Sequence, residues 1–400
     1  MSRGRFRTGL HAAVTVYLKE VRENLRDKRT VINALITGPL LGPVLFGMIF
    51  SFTLQRQLAE AEKPLPVPVV GAQYAPNLLH ALEAQGLVAK PAPTDPAAAI
   101  RSHAARVVMV IPKRFEQAWR KGEPAGVELY YDSARQDSGT PVRRLKKMLQ
   151  AYASTLAAQR LLVRGLSPVL MRPVVPEDRD LATPQSRSAL MFSILPYFFV
   201  LTVFLGGMYL AIDTTAGERE RQSLEPLLSN PVGRGTLLAG KLAATVSFAL
   251  VSLLLATAAF GVVGRFLPVE KLDIVLDLGP RFAAYLMLLM LPLAVLLATL
   301  QTLVSAYAQS YREAQTYLSI LMLLPVIPSL LLAVMPVHAK PWMYAVPLLG
   351  QQLGIMDLVR GEGIGWPLLA AVLAGTSLAA VLAFAVTRWL YASERLAVST

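Results

Sequence analysis

Six stretches of the chain, 22 to 26 residues long, contain no Asp, Glu, Lys, Arg or His: residues 31–53, 188–212, 242–263, 282–307, 314–335 and 366–387. A helix that crosses a bilayer needs about 20 largely apolar residues. Buried helices of water-soluble domains are usually shorter and interrupted by charge. The six stretches therefore read as transmembrane spans. Composition agrees, because 54% of the 400 residues are hydrophobic and only 16% are charged, against about 25% charged in soluble domains. A free-standing soluble enzyme is excluded, and so is a disordered basic tail, since such chains are poor in apolar residues. The chain has no Cys, which removes thiolate metal sites, cysteine nucleophiles and disulfides.

The first span follows about 30 residues that carry eight Lys and Arg, with no clear cleavage site after it. A cleaved signal has a shorter apolar core, so this one reads as a retained signal-anchor. Residues 1–30 include an amphipathic segment in which Val14, Tyr17, Leu18, Val21 and Leu25 recur at helical spacing. Such a helix lies in the membrane interface with its cations near anionic headgroups, or else simply extends the first span into water. Short flanks orient a membrane protein through their Lys and Arg. One side carries 15, at the N-terminus, the second-to-third connection, Arg312 and the tail, whereas the short loops of the other side carry 5. Both termini are expected in the cytoplasm.

Residues 54–187, between spans one and two, then form an extracytoplasmic domain. It opens on a Pro-rich linker at 63–68 and alternates β-type runs (67–71, 106–111, 127–131) with helical patterns (76–85, 96–103, 113–120) before a long helix at about 141–164. Strands alternating with helices predict a small α/β layer domain. The expected fold is a mainly α-helical membrane protein with six transmembrane helices and this domain inserted between the first two. Residues 188–400 form the five-helix remainder.

The most informative connection is 217–241, GERERQSLEPLLSNPVGRGTLLAGK. Alternating acid and base followed by Leu224, Leu227 and Leu228 and a Pro/Gly stop suits a short amphipathic helix entering a groove on a partner. The run resembles the cytoplasmic coupling segment of type-2 ABC exporter permeases: an acid/base cluster, L-E-P/Q-L-L, a small residue, x-P, then G-K opening the next span. Lys19-Glu20 with 25–30 resembles that family's entrance to span one, and 105–114 with 127–133 resembles its outside domain. The similarity covers essentially the whole chain and is greatest to the NatB-like branch, which has a large outside domain between its first two spans. The family often has Gly-Thr where this chain has Gln222-Ser223.

The resemblance implies a permease subunit that pairs with a second permease copy, or a related permease, and with a cytoplasmic ATPase. No cofactor belongs to this chain, and ATP and Mg would be bound by the ATPase partner. It also implies a coupling helix within 215–236 that docks through Glu218, Arg219, Glu220, Arg221, Leu224, Glu225, Leu227 and Leu228. Outward transport of sodium, or of a drug- or lipid-like compound, across a bacterial inner membrane is the expected activity. A membrane-anchored receptor or assembly scaffold that holds a ligand with its outside domain is the alternative. The loop 337–365 is too broken by Pro and Gly to span and too apolar to be free. It is expected to be re-entrant or interfacial, like the family's outer half-helices.

Enzyme readings fare poorly. Residues 235–241 have the spacing G-x-x-x-x-G-K, but Leu242 stands where a P-loop needs Ser or Thr for Mg²⁺ and no strand precedes it. Ser377, in Gly375-Thr376-Ser377, has no His in any span to activate it, and reads as a helix-packing residue. The four His are dispersed and form no metal site. Ion-coupled carriers place ionisable groups inside spans, and here there are none. The neutral polar residues that could line a pathway are Asn33, Thr37, Gln301, Thr302, Ser305, Gln315, Thr316 and Ser319. Interhelical hydrogen bonding is their ordinary alternative.

Overall fold

The computed structural model describes residues 2–135, 137–171, 192–223, 232–267, 278–334 and 339–392. The chain divides into two compact units, residues 1–52 with 181–400, and residues 53–180. The first unit begins with helix α1 (Ser2–Arg26), followed by a single turn α2 (Lys28–Val31) capped by the Asp27 side chain. A π-helical turn, Ile32–Thr37, then leads into α3 (Gly38–Glu62). The wide turn lies directly ahead of Pro39 and Pro43, which cannot donate to carbonyls four residues back.

The second unit is a four-stranded sheet in the order β2-β1-β3-β4. Strand β1 (Leu65–Val70) is followed by α4 (Pro76–Glu83), β2 (Leu87–Lys90), α5 (Pro96–Arg101), β3 (Val107–Val110), α6 (Arg114–Lys121), β4 (Glu128–Tyr131) and α7 (Gly139–Val163). β1 runs parallel to β2 and β3, and β3 is antiparallel to β4. Leu65, Val67 and Val69 face a core completed by Leu78 and Leu82 of α4, Phe115 of α6 and Leu145 of α7. Residues 65–68 of the linker expected at 63–68 are instead the first part of β1. Proline is normally excluded from an inner strand because it cannot donate to the ladder. Here Pro66 and Pro68 are tolerated because β3 joins β1 only at Val69 and Val70. β2 has no counterpart in the sequence reading, since four residues are too few to show a periodicity.

The first unit resumes with α8 (Leu195–Ile212), a second π turn (Asp213–Gly217) and the single turn α9 (Glu218–Glu220). Next come α10 (Arg234–Phe266), α11 (Pro280–Tyr307), α12 (Tyr311–Leu321), α13 (Val326–Val334), α14 (Pro341–Tyr344), α15 (Leu349–Val359) and α16 (Trp366–Ala392). Five helices among the described residues are long and apolar enough to cross a membrane: Lys28–Gln55, Leu195–Glu220, Arg234–Phe266, Pro280–Tyr307 and Trp366–Tyr391. The stretch 314–335, expected as a sixth continuous helix, is broken. Turns at 322–325 separate α12 from α13, because Pro325 and Pro328 each remove a helical donor and crowd the preceding turn. The break is not left unsatisfied, since Gln352 Nε2 donates to the Pro325 carbonyl at 3.2 Å and to Ser329 Oγ at 2.6 Å.

α8 is the hub of the bundle. A Cβ on Gly206 would lie 2.6 Å from the Ser252 side chain of α10, so the two helices meet almost backbone to side chain, as small residues allow in membranes. An aromatic cluster of Phe46, Phe199, Phe260 and Phe282 fills one end of this core.

Candidate functional site

The acid/base run begins where α8 loosens into its π turn, a feature frequent at functional positions. Each of its four residues has a partner within the chain. Glu218 is buried, 5% exposed, and pairs with Lys241, which is 2% exposed. Lys241 Nζ also donates to the Thr214 carbonyl at 2.7 Å. Arg219 donates to the Ala308 carbonyl at 3.1 Å, beyond the end of α11. Glu220 accepts the Tyr311 backbone N–H at 2.8 Å, at the start of α12. Arg221 reaches back to Asp213 at 2.9 Å. Within the chain the run forms an internal staple: Glu218 is enclosed, Arg219 is half-buried, and Glu220 and Arg221 are exposed.

Helix α1 closes the cluster from the other side. Glu20 and Asn24, placed on its polar face by the sequence pattern, are both buried. Lys19 lies 3.4 Å from Glu20, 3.4 Å from Glu23 and 3.8 Å from Glu218. Burial pushes the Glu20 carboxyl above the usual carboxylate range, although Lys241 pulls it back. Burial alone would lower the Lys19 ammonium, but Glu20, Glu218 and Glu23 together raise it. Two lysines and two enclosed carboxylates therefore join α1, the 213–223 connection and α10. Tyr17 and Val21 pack inward while Leu10, Val14, Leu18 and Leu25 remain exposed. That leaves an exposed apolar strip on α1.

The Gly-Lys pair that imitates a P-loop has two structural jobs. A Cβ on Gly240 would sit 2.8 Å from the Ala13 carbonyl and from Val16, so Gly240 is where α1 crosses α10. Lys241 neutralises Glu218. The approach of Glu20 to the Glu218–Lys241 pair has no signature in the sequence, because α1 lies far from α10 along the chain and nothing local marks them as neighbours.

The turn α9 closes at Gln222 and Ser223, within the 215–236 segment expected as the coupling helix. The Ser223 N–H bonds to the Glu218 carbonyl and the Gln222 N–H to that of Arg219, which is the Schellman closure. Gln222 has φ +56°, the left-handed conformation that Gly adopts without steric cost. This accounts physically for Gly being common there in the family that the segment resembles. Gln222→Gly should raise stability by up to about 1 kcal/mol, read as a higher melting temperature in detergent. Leu224, Glu225, Leu227 and Leu228 lie outside the described residues.

The candidate pathway residues separate into two groups. Gln301, Thr302 and Ser305 are enclosed in α11, and Gln301 Nε2 donates to the Phe204 carbonyl at 2.7 Å. Gln301 Oε1 and Ser305 Oγ are buried with no partner among the described residues. Thr37 and, on α12, Gln315, Thr316 and Ser319 are exposed, while Asn33 is half-buried.

A second polar cluster ties α14, α15 and α16. Gln351 Nε2 donates to Thr376 Oγ1 at 2.7 Å and Gln351 Oε1 accepts the Leu348 N–H at 2.8 Å. Tyr344 Oη donates to Asp357 at 2.6 Å, and burial holds that carboxyl above its usual range. In the Gly375-Thr376-Ser377 triplet the packing residues are Gly375 and Thr376, whereas Ser377 is exposed. Among the described residues no group of His, Asp and Glu is placed to hold a metal ion.

A family profile described as ABC-2 family transporter protein matches residues 28–390. The chain is also 26% identical over 317 residues to the ABC transporter permease protein NatB of Bacillus subtilis (strain 168), an alignment covering 78% of this chain and 80% of that protein. No solved structure matches the chain.

Proposed function

The chain belongs to the ABC-2 transporter family as a NatB-like permease, and on that premise we propose that it is the membrane subunit of an ATP-driven exporter. ATP and Mg are bound and hydrolysed by a separate cytoplasmic ATPase, and transport runs outward between two permease copies or this chain and a related one. The Lys and Arg asymmetry of the short flanks supports cytoplasmic termini in a bacterial inner membrane. In that orientation the charged cluster around Glu218 and Lys241 is cytoplasmic, the broken α12–α13 pair is the sixth crossing, and residues 53–180 are outside. Sodium, or a drug- or lipid-like compound, is the proposed cargo.

The observation that carries the reading is the stapled 213–223 connection. A force applied by an ATPase to this loop is passed to α10 through Glu218 and Lys241, to α11 through Arg219, and to α12 through Glu220. Docking itself falls to the leucines that follow. Leu227→Asp with Leu228→Asp is expected to abolish efflux and co-purification of the ATPase, while membrane insertion and melting temperature stay unchanged. Normal efflux and normal ATPase capture in that variant would overturn the docking assignment. Normal capture without efflux would place these leucines in transmission rather than docking.

A further inference from the structure

We propose that the four-stranded domain carries a binding site for a planar aromatic molecule, in a pocket between α6 and the second half of α7. The pocket encloses about 440 Å³, within the range of small-molecule sites. Its centre is a column of three rings, Phe115, Trp119 and Tyr152, contributed by the two helices. Phe115 and Trp119 stand one helical turn apart on α6, where residues four apart share a face. Their ring centres are 5.9 Å apart and their planes 12° from parallel. Tyr152 of α7 continues the column, 6.4 Å from Trp119 and 18° from parallel. A ring inserted between two others needs about 7 Å, twice the contact distance of two carbons. The ligand therefore lies along the column, not between its members.

The fold explains why the pocket is open. Phe115 is buried in the core beside the sheet, whereas Trp119 and Tyr152 are only partly covered. Helix α6 stops at Gly122, φ +75°, and the Glu123 N–H returns to the Ala118 carbonyl at 2.9 Å. Pro124 and Ala125 then form the wall opposite α7. On α7, Ala153 and Ala157 line the pocket one turn apart, and their short side chains leave a recess between the larger Tyr152 and Arg160. The Arg160 guanidinium lies 4.7 Å from the centre of the Trp119 ring. That cation–π contact ties α7 to α6 and holds the indole in place before any ligand arrives, which lowers the ordering cost of binding. Partial burial pushes the Tyr152 phenol above its usual range, against the opposing charge of Arg160, so the phenol stays a neutral O–H donor. Ring-to-ring contacts add to what buried area alone gives, and an aliphatic body gains only the area. A preorganised ring column therefore selects a flat aromatic body, and the Tyr152 O–H suits an oxygen acceptor at its edge.

The test uses the full chain in nanodiscs of pure phosphatidylcholine, with empty nanodiscs as the blank. Naphthoate and decalin carboxylate, its saturated counterpart of equal charge, are titrated separately by calorimetry. The wild type is expected to bind naphthoate about three- to tenfold more tightly, the margin that an aromatic pair adds beyond its buried area. Trp119→Leu should erase that preference. Ala153→Leu with Ala157→Leu fills the recess and leaves the rings in place, and should weaken naphthoate binding by about tenfold or more. Ala151→Leu with Thr155→Leu, at exposed positions of α7 outside the pocket, should leave it intact. If Trp119→Leu folds poorly, the two leucine pairs carry the test. Equal affinity of the wild type for the two acids would mean that the pocket takes any apolar body, an acyl chain included, and overturns the aromatic assignment. No binding of naphthoate by the wild type, or an equal loss in both leucine pairs, overturns the site.

Discussion

Lys241→Met is expected to destabilise the folded protein by about 3–5 kcal/mol, the range for removing one partner of a buried ion pair. Lys241 is 2% exposed and bonded to both Glu218 and the Thr214 carbonyl. Without it, the enclosed carboxylates of Glu20 and Glu218 are left with Lys19, which is 41% exposed and 3.8 Å from Glu218, and with the exposed Arg221. Like charges held in a poorly hydrated space cannot both remain ionised cheaply. The double variant Glu218→Gln with Lys241→Met removes both charges at similar volume, and such replacements are often close to neutral. It should recover most of the lost melting temperature in detergent. Under the proposed function it should not recover stimulation of the ATPase by substrate, because the connection from the loop to α10 is then no longer ionic. A single variant as stable as wild type would show that the pair is hydrated and carries no force.

The sequence announced five of the six apolar stretches as long helices because charge-free length is a global property that needs no tertiary information. It announced the sixth as well, and there the prolines decide. Pro325 and Pro328 lie within an apolar run of otherwise unbroken character, and the break between α12 and α13 is tolerated because Gln352, in a different helix, takes the freed carbonyl. Tertiary partners of that kind are invisible in a linear pattern. The same holds for the acid/base run. Its alternation is equally compatible with a solvated face and with a staple, and what selects the staple is the arrival of Lys241, Ala308 and Tyr311 from elsewhere in the chain. The small domain shows the converse case. Its helices and two of its four strands could be read closely because those elements are bounded by their own local signals. Examples are Asp95 capping α5 with a 2.8 Å bond to the Ala97 N–H and Gly122 closing α6 at φ +75°. The prolines of β1 misled, since their tolerance depends on where β3 begins to pair, and the four-residue β2 offered no periodicity to read.

Gly375→Ala is the second substitution with a large expected effect, and it contradicts helix propensity. Alanine in place of glycine normally stabilises a helix by up to about 1 kcal/mol, and Gly261→Ala in α10, where an added Cβ meets nothing within 4 Å, should do so. At Gly375 the added Cβ would lie 2.0 Å from the Ala345 carbonyl oxygen. That neighbour is backbone and cannot rotate away, so α16 and the α14–α15 hairpin must separate. Overpacking costs about 1–3 kcal/mol and occasionally more. Here the same shift also strains the 2.7 Å bond from Gln351 to Thr376 and leaves both groups enclosed without an alternative partner among the described residues. The expected result is a loss at or above the top of that range, read as a melting temperature well below wild type in detergent. Gly350, whose added Cβ would meet the Tyr344 carbonyl at 2.1 Å, should behave in the same way. The two sites clamp one hairpin, so the double variant should lose less than the sum of the singles, because a hairpin already released by one substitution offers the second nothing to clash with. Strict additivity would mean that the glycines act on separate elements. A neutral Gly375→Ala would mean that the α14–α15 hairpin does not rest on α16 at all.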